Sequence, residues 1–199
     1  MRQQFDKPID MNFDFEADIE LSNERTQIRP LKIEDLQHLL PVATQHKDLV
    51  RFSPVLIHSE GHLRDYISQA VQERKNNIRY AFIIWDKLKN QYAGSTSFLN
   101  ISNKDKRLEI GSTWIGKDFQ GTGLNAKVKA LMLAYAFEKL EFERVEFRTD
   151  ERNTASRKAM EKLGAIYEGR LRSHILMPDG FRRSSLYYSI LRDEWLSKK

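Results

Sequence analysis

The chain has 199 residues, of which 40% are hydrophobic and 31% are charged, as is typical of a single folded, soluble domain. Because it contains no cysteine, disulfides, thiolate metal sites and a cysteine nucleophile are all excluded. No apolar stretch approaches the roughly 20 residues of a membrane span, and the N-terminus lacks an apolar signal core, so we expect a cytoplasmic protein.

The net charge of +5 is distributed unevenly. Within residues 1–20 acidic residues outnumber basic ones, with Asp6, Asp10, Asp14, Glu16, Asp18 and Glu20 against Arg2 and Lys7. We therefore predict an acidic N-terminal extension over residues 1–23 and a more basic domain over residues 24–199. A basic domain attracts the phosphates of a cofactor or of RNA, although a solvated surface explains the same charge without any ligand.

The elements predicted for the first half are a strand, two helices and three further strands. The first strand covers residues 26–31, and the helix that follows begins near Ile33 and is expected to be interrupted by Pro41. The second helix runs from Ser59, a suitable N-cap, to Lys75. Short polar turns then separate three strands, which indicates antiparallel pairing. These strands cover residues 80–85, 92–99 and 107–115.

The second half alternates helices and strands. A helix with apolar residues along one face from Leu124 to Leu140 leads into a strand over residues 144–149, which we expect to pair in parallel because a helix precedes it. A further helix begins at Asn153 and is closed by Gly164 as a left-handed cap. The last two strands, residues 165–176 and 182–190, flank the turn sequence Met-Pro-Asp-Gly.

Residues 114–126, WIGKDFQGTGLNA, hold three of the nine glycines within eight positions. Gly121 and Gly123 permit backbone conformations that side chains forbid, and they let amide N–H groups approach a ligand. Because a helix begins there, its unpaired N–H groups and the positive end of its dipole face the same point, which describes a main-chain phosphate cradle. The alternative is a strand-to-helix turn that needs flexible residues.

Two other phosphate-binding motifs are rich in glycine and are alternatives for this stretch. The Walker pattern GxxxxGK[ST] is absent, whereas Gly121-x-Gly123-x-x-Ala126 matches the dinucleotide fingerprint. That fingerprint also requires a parallel strand before it and an acidic residue some 20 positions later. Glu143 or Glu146 could serve as the acid, but the preceding strands are predicted to be antiparallel, so an NAD-binding oxidoreductase is the weaker alternative.

The order of these elements resembles the GNAT acetyltransferases, whose cofactor motif Q/R-x-x-G-x-G/A is satisfied by Gln120 and Gly123. Asn125 departs from the commonest pattern, but GTGLN resembles the branch related to ribosomal-protein N-terminal (alanine) acetyltransferases. Other phrases resemble the same branch, and the similarity covers about residues 24–199. They are IRPL at 28–31, LEIG at 108–111, VEFRTD at 145–150 and MPDG at 177–180.

The resemblance implies an α/β (α+β) fold with a mixed, mainly antiparallel, V-split sheet flanked by helices. It also implies direct acetyl transfer from acetyl-CoA to an amine, with loop amides on the pyrophosphate, a strand end on the pantetheine arm, and an asparagine close to that arm. The implied cofactor-binding residues are Trp114, Ile115, Gln120, Gly121, Thr122, Gly123, Leu124, Asn125 and Asn153.

The loop cannot bind the cofactor alone. A helix terminus contributes roughly 0.3–2 kcal/mol to anion binding, whereas micromolar affinity requires about 8 kcal/mol. Pantetheine hydrogen bonds and adenine packing must supply most of the difference. Lys117, Lys127 and Arg157 are candidate phosphate contacts, each with an ordinary surface position as the alternative.

The resemblance also implies catalytic residues. Glu109, on the strand before the loop, is the candidate general base, with pairing to an arginine across the sheet as the alternative. Many GNAT enzymes carry a tyrosine as general acid in N-x-x-A-x-x-L-Y, but here Met160 replaces it. Ser156 is a candidate substitute, although such a serine often only bonds backbone, and Tyr167 is a weaker candidate.

The acceptor is an amine: a protein N-terminus, a polyamine, an amino acid or an aminoglycoside. We expect no membrane partner, because no apolar stretch is long enough to span a bilayer, and we do not expect a nucleic-acid partner. We expect no metal, because His58 and His62 are spaced four apart but do not form HExxH. A monomer and a homodimer both remain open. A non-catalytic module that keeps the fold and binds RNA or protein is the second hypothesis, prompted by Met160 and the basic domain.

Overall fold

The computed structural model describes residues 12–197, which form one sheet and helices on both of its faces. The strands are β1 Leu21–Ser22, β2 Thr26–Pro30, β3 Arg79–Asp86, β4 Gln91–Ser102, β5 Arg107–Ile115, β6 Arg144–Asp150, β7 Ile166–Leu176 and β8 Arg182–Leu191. The helices are α1 Leu36–Thr44, α2 Glu60–Lys75, α3 Leu124–Ala134, α4 Thr154–Lys162 and α5 Arg192–Leu196. Every strand and helix predicted from the sequence is present, and the short β1 and α5 are additions.

The helix ends follow the predicted local chemistry. The Ser59 hydroxyl accepts a hydrogen bond from the N–H of His62 and caps α2. Asn153 caps α4 in the same way, and Gly164, at φ +87°, stands just beyond the end of that helix. α3 continues into a π-helical turn over Tyr135–Lys139.

The expectation that Pro41 interrupts the first helix is wrong, because α1 continues through it to Thr44. A proline inside a helix removes one backbone hydrogen bond and strains the turn before it. Here Leu39 and Ala43, on either side of Pro41, are fully buried. Packing of this apolar stripe therefore outweighs the local cost of the proline.

The sheet has the order β1-β2-β3-β4-β5-β6-β8-β7 and is antiparallel except for β5 and β6. The parallel pair is joined only at its start, from Arg107 opposite Arg144 to Glu109 opposite Glu146. Beyond Glu109, β5 stays with β4 and β6 stays with β8. The sheet therefore splits into a V between residues 110–115 and residues 147–150, as the predicted fold class requires.

A local irregularity in β5 accompanies this split. The register between β4 and β5 shifts after Ser95, and Ser112 has φ +46°. Bulges of this kind bend a strand and increase its twist. Gly94 is required beside the bulge, because a Cβ there would lie 2.1 Å from the Trp114 carbonyl oxygen.

The two faces of the sheet bury separate apolar clusters. The first cluster packs α3 and α4 against alternate residues of β3, including Tyr80 and Phe82. The second cluster packs α1 and α2 against the alternate β3 residues that point to the other face, Ala81 and Ile83, and against Trp114 of β5. This alternation is the period-two pattern of a sheet covered on both faces.

The part of the predicted extension that the structure describes, residues 12–23, packs against the domain. Phe13 and Ile19 are buried in the first cluster. Arg74 donates hydrogen bonds to the carbonyl oxygens of residues 15–17, and the Tyr80 hydroxyl also binds the Ala17 carbonyl. Residues 1–11, with Asp6 and Asp10, lie outside the described residues, and the boundary at residue 23 stays a prediction.

Candidate active site

The glycine-rich loop joins the end of β5 to the start of α3 at the open end of the V. Gly121 and Gly123 have φ values of +73° and +83°, which glycine adopts without strain. A Cβ at either position would meet nothing within 4 Å, so backbone conformation rather than space requires glycine. Within residues 12–197, no acceptor lies in hydrogen-bonding range of the N–H groups of residues 121–126.

Side chains of the predicted cofactor loop stabilise the loop itself. Gln120 donates from Nε2 to the Ile115 carbonyl at 2.8 Å, and the Thr122 hydroxyl donates to the Phe119 carbonyl at 2.7 Å. Leu124 is fully buried and anchors the start of α3 in the first apolar cluster. The loop therefore offers main-chain donors, while these side chains hold it in shape.

A pocket of about 470 Å³ flanks this loop, and three of its lining residues are basic. Lys127 comes from α3, Arg25 directly precedes β2, and Lys87 comes from the β3–β4 turn. Lys127 is paired with Glu24 at 2.7 Å, and Arg25 with Asp86 at 2.8 Å. Sequence reasoning missed Arg25 and Lys87, because only the tertiary fold brings such distant positions to the loop.

The other two candidate phosphate contacts do not line this pocket. Lys117 is paired with Asp48 at 3.1 Å. Hydrogen bonding to Tyr188 raises the pKa of Arg157. Lys117 is thus partly exposed in a surface ion pair, whereas Arg157 is half-buried and its Nε has no partner among the described residues.

The wall of the V offers backbone rather than side chains. The Trp114 ring is buried in the second apolar cluster, edge-on to Tyr66 at 6.4 Å, and Ile115 is buried in the first cluster. Across the V, Asn153 follows β6 and accepts the N–H of Ser156 on its side-chain oxygen at 3.1 Å.

Glu109 lies at the apex of the V, as the last β5 residue that is paired with β6. It is only 2% exposed, and Gly111 leaves the space for its carboxylate, since a Cβ there would lie 2.9 Å from Oε1. Asn100 donates to Oε2 at 2.8 Å, and Arg148 Nη2 lies 3.6 Å from Oε1. The arginine of the alternative interpretation is therefore present, at a long ion-pair distance.

Burial raises the pKa of Glu109, and the Arg148 charge and the Asn100 hydrogen bond oppose that effect. A carboxylate with a raised pKa is a stronger proton acceptor than an exposed one. Burial and the raised pKa therefore favour Glu109 as the candidate general base.

Lys129 is a buried cation that sequence reasoning missed. It is 7% exposed, donates to the hydroxyls of Thr113 at 2.7 Å and Thr96 at 3.3 Å, and lies behind the β5 bulge. Burial lowers its pKa to about 7, and the charge of Glu109 opposes this shift. The sequence held one signal of this burial: Lys129 follows the apolar Val128 and precedes the apolar Leu133 by four positions, so it lies on the same side of α3 as Leu133.

The two candidate general acids, Ser156 and Tyr167, have different surroundings. Ser156 lies half-buried in the first turn of α4, and its hydroxyl has no hydrogen-bond partner among the described residues. Met160 is buried in the first apolar cluster. Tyr167 is half exposed and packs edge-on against Tyr188 at 5.5 Å.

Two histidines lie close together, on and just before α2. The rings of His58 and His62 lie 4.7 Å apart, but no group of three or more His, Cys, Asp or Glu occurs that could hold an ion within residues 12–197. No helix in the same range is both long and apolar enough to cross a bilayer.

Comparison with known proteins identifies the class. Residues 25–166 match the family model described as Acetyltransferase (GNAT) domain. The chain therefore belongs to the GNAT acetyltransferases and is an acyltransferase. This membership confirms the predicted family and sets aside the oxidoreductase alternative.

Individual relatives agree with that class. The chain is 34% identical over 106 residues to the Bacillus subtilis (strain 168) protein named "Putative ribosomal N-acetyltransferase YdaF", an alignment that covers 53% of this chain and 57% of that protein. A GCN5-related N-acetyltransferase from Brucella melitensis superposes with a TM-score of 0.82 at 22% identity, covering 90% of this chain and 81% of the other. The ribosomal-protein-S5-alanine acetyltransferase from Vibrio fischeri has a TM-score of 0.71 at 20% identity over 89% and 99%. These two structures show a shared fold.

Proposed function

We propose that the protein is an acetyl-CoA-dependent N-acetyltransferase that moves the acetyl group directly to an amine, in the cytoplasm. The observation that carries this proposal is a pair of backbone stretches at the site that lack a partner strand or a helical partner. The edge of β5 that faces the V has no partner strand over residues 110–115, and it leads to the free N–H groups of residues 121–126.

These residues fit acetyl-CoA. The N–H groups of residues 121–126 would hold the pyrophosphate, supported by the positive end of the α3 dipole. Arg25, Lys87 and Lys127 line the adjacent pocket and would contact the remaining phosphate. Backbone groups of Trp114 and Ile115 on one side of the V, and Asn153 on the other, would hydrogen-bond the amides of the pantetheine arm.

When bound, acetyl-CoA supplies an activated acetyl thioester. Glu109 accepts a proton from the amine as the amine nitrogen forms its bond to the acetyl carbon. The thiolate of CoA would be the leaving group, and the proton that the amine gives up would neutralise it. We assign to the Ser156 hydroxyl, which lies directly after the wall of the V formed by β6, a hydrogen bond to this sulfur.

Deprotonation restricts the acceptor. A chain α-amino group has a pKa of about 8 and a lysine about 10.4, so neutralising lysine at pH 7 costs roughly 3 kcal/mol more. A single buried carboxylate therefore suits an α-amino group or a small amine of similar basicity. The name of the B. subtilis relative points to a protein N-terminus, and a small-molecule amine is the other acceptor class.

Calorimetric titration with acetyl-CoA tests the cofactor, with NAD as the comparison ligand. We expect saturable binding of acetyl-CoA in the micromolar range and no heat with NAD. Release of free thiol with a panel of peptides and amines tests transfer. Absence of heat with acetyl-CoA would contradict the proposal, and RNA binding that falls steeply with salt, without any transfer, would favour the non-catalytic module.

A further inference from the structure

A second cluster of basic side chains lies on the face of the sheet that carries Glu109. The basic cluster consists of Arg148 on β6, His174 on β7 and Arg183 on β8. Arg148 stands directly opposite Tyr187, and Arg183 follows on the same face because side chains alternate along β8. None of the three lines the pocket beside the glycine-rich loop.

The basic cluster contacts Glu109 through Arg148. Arg148 lies 3.6 Å from Glu109 and contacts the Tyr187 hydroxyl at 3.4 Å. The His174 ring lies 6.0 Å from the Tyr187 ring, and its Nδ1 is 3.0 Å from the Ser185 hydroxyl. Arg148 and His174 are therefore linked to Glu109 through these contacts, and Arg183 lies on the same face, where the charges of Arg148 and Glu109 act on it.

Arg183 is buried without a carboxylate partner. It is 6% exposed, and its Nη1 donates to the Phe52 carbonyl at 2.5 Å. Its Nε is buried and has no partner among the described residues, which also place no carboxylate within 4 Å of its nitrogens. Burial lowers the pKa of Arg183 and the charge of Arg148 acts in the same direction, whereas the charges of Asp150 and Glu109 oppose the shift.

The acids on this face are largely engaged by other cations. Asp150 binds Arg152 through both carboxylate oxygens, at 2.7 and 3.0 Å. Glu146 is paired with Arg144 at 2.8 Å. The site therefore carries excess positive charge in a buried setting, which is costly unless a counter-charge arrives.

The segment between α1 and α2 covers this end of the site. Phe52 accepts the hydrogen bond from Arg183, and the Arg152 guanidinium lies between the rings of Phe52 and Phe181, at 5.8 and 3.9 Å. A group that reaches Arg183 is consequently surrounded by protein on the side of α1 and α2.

We propose that Arg148 and Arg183 bind a carboxylate of the acceptor while its amine faces Glu109. The acceptor class is thus an amine with a carboxylate a few bonds from the nitrogen, either a free amino acid or an acidic first residue of a peptide. This inference rests on the proposed function. A guanidinium offers paired donors that match a carboxylate, and cations beside the amine favour its neutral, reactive form.

Matched acceptors test the charge requirement. The rate constant kcat/KM is measured for β-alanine against β-alaninamide, and for peptides that begin with Asp against the same peptides that begin with Asn. We expect the carboxylate member of the preferred pair to be at least about tenfold better, through KM. The pair that shows this preference identifies the source of the carboxylate.

Variants distinguish an effect of the basic cluster from an effect of the acceptor's own pKa. The ratio of kcat/KM for the two acceptors of a pair is compared between wild type and variant, and the acceptor's pKa is the same in both proteins. Arg148→Met and Arg183→Met should each reduce the ratio of kcat/KM for the carboxylate acceptor to that for its neutral partner about tenfold or more. Losing the Arg148 charge also changes the pKa of Glu109, but that change affects both acceptors and therefore leaves the ratio to report the carboxylate site. Arg182→Met is the control, since Arg182 is exposed on the opposite face and bonds Ser173. Thermal unfolding and acetyl-CoA affinity report folding, and Arg183→Lys with Arg148→Met carries the test if Arg183→Met is unstable.

The outcomes distinguish the two proposals. Transfer to neutral amines as fast as to their carboxylate partners would overturn the carboxylate site and leave the acetyltransferase proposal standing. Neither acetyl-CoA binding nor transfer would reject the acetyltransferase proposal itself. Calorimetry of β-alanine with CoA-loaded protein gives a reading independent of turnover: heat lost in both arginine variants supports the site, and no heat in the wild type counts against it.

Discussion

At the residue scale, Glu109 combines burial with a polar partner and a cation. Glu109→Gln should lower kcat by about 100-fold or more while acetyl-CoA affinity stays unchanged, because a general base contributes roughly 10²–10⁴ to the rate. Steady-state kinetics and calorimetry measure the two quantities. Glu60→Gln, an exposed change on α2, is the control. Unchanged turnover in Glu109→Gln would reject the base assignment.

The pH profile gives an independent reading of the same residue. Burial raises the pKa of Glu109 above its ordinary value of 4.5, and the base works only when it is deprotonated. Activity should therefore rise with pH along an acid limb that lies above 4.5. The residual activity of Glu109→Gln should no longer show this rise with pH.

Lys129 predicts a dependence of stability on pH. Its pKa falls from 10.5 to about 7 on folding, so between these values the unfolded chain binds more protons and stability rises with pH. Lys129→Met should raise the free energy of unfolding by roughly 1 to 3 kcal/mol at or below pH 7, and the gain should shrink towards pH 10. The Thr96 and Thr113 hydroxyls, 2.7 Å apart, remain bonded to each other.

Denaturant unfolding across this pH range measures the effect. Lys127→Met, an exposed change on the same helix, is the control and should show no such trend. A gain in stability that is the same at pH 6 and pH 10 would contradict the lowered pKa of Lys129.

At the scale of elements, the loop before α3 depends on the backbone of Gly123. Alanine at φ +83° is strained by roughly 1–2 kcal/mol, so Gly123→Ala should weaken acetyl-CoA binding by about tenfold, with kcat less affected. Gly61→Ala is the matched control, because this position in α2 has open space and no positive φ. Equal acetyl-CoA affinity for the two variants would show that the loop conformation is not needed.

Local signals predicted most of the elements because they depend on neighbouring residues alone. Ser59, Asn153 and Gly164 mark helix ends through hydrogen bonds or φ values that involve a few positions. The prediction that Pro41 interrupts the first helix was wrong, since the local cost of the proline is offset by burial of Leu39 and Ala43 against distant elements. The local sequence shows the proline but does not show which distant residues its helix packs against.

At the scale of the whole molecule, residues 12–23 are packed as part of the domain. Removing residues 1–23 takes Phe13 and Ile19 out of the apolar core and deprives Arg74 of three carbonyl acceptors. We expect a loss of several kcal/mol in the free energy of unfolding, since each large buried side chain contributes about 1.5–3 kcal/mol. Removing residues 1–11 retains every one of these contacts, and denaturant unfolding of the two truncations compares them. Equal stability would show that the segment is dispensable.

The sequence by itself determined the order of elements, the glycine-rich loop and the resemblance to GNAT enzymes, because these depend on periodicity, short spacings and motif letters. Glu109 as the general base is what that resemblance implies, and it stays a prediction. Only the tertiary structure decided that β5 and β6 separate after Glu109, that Lys129 is buried, and that Arg25 and Lys87 reach the loop. It likewise brought Arg183 near Arg148 and beside Phe52. Burial and proximity between distant segments arise from packing, and packing is a property of the whole fold.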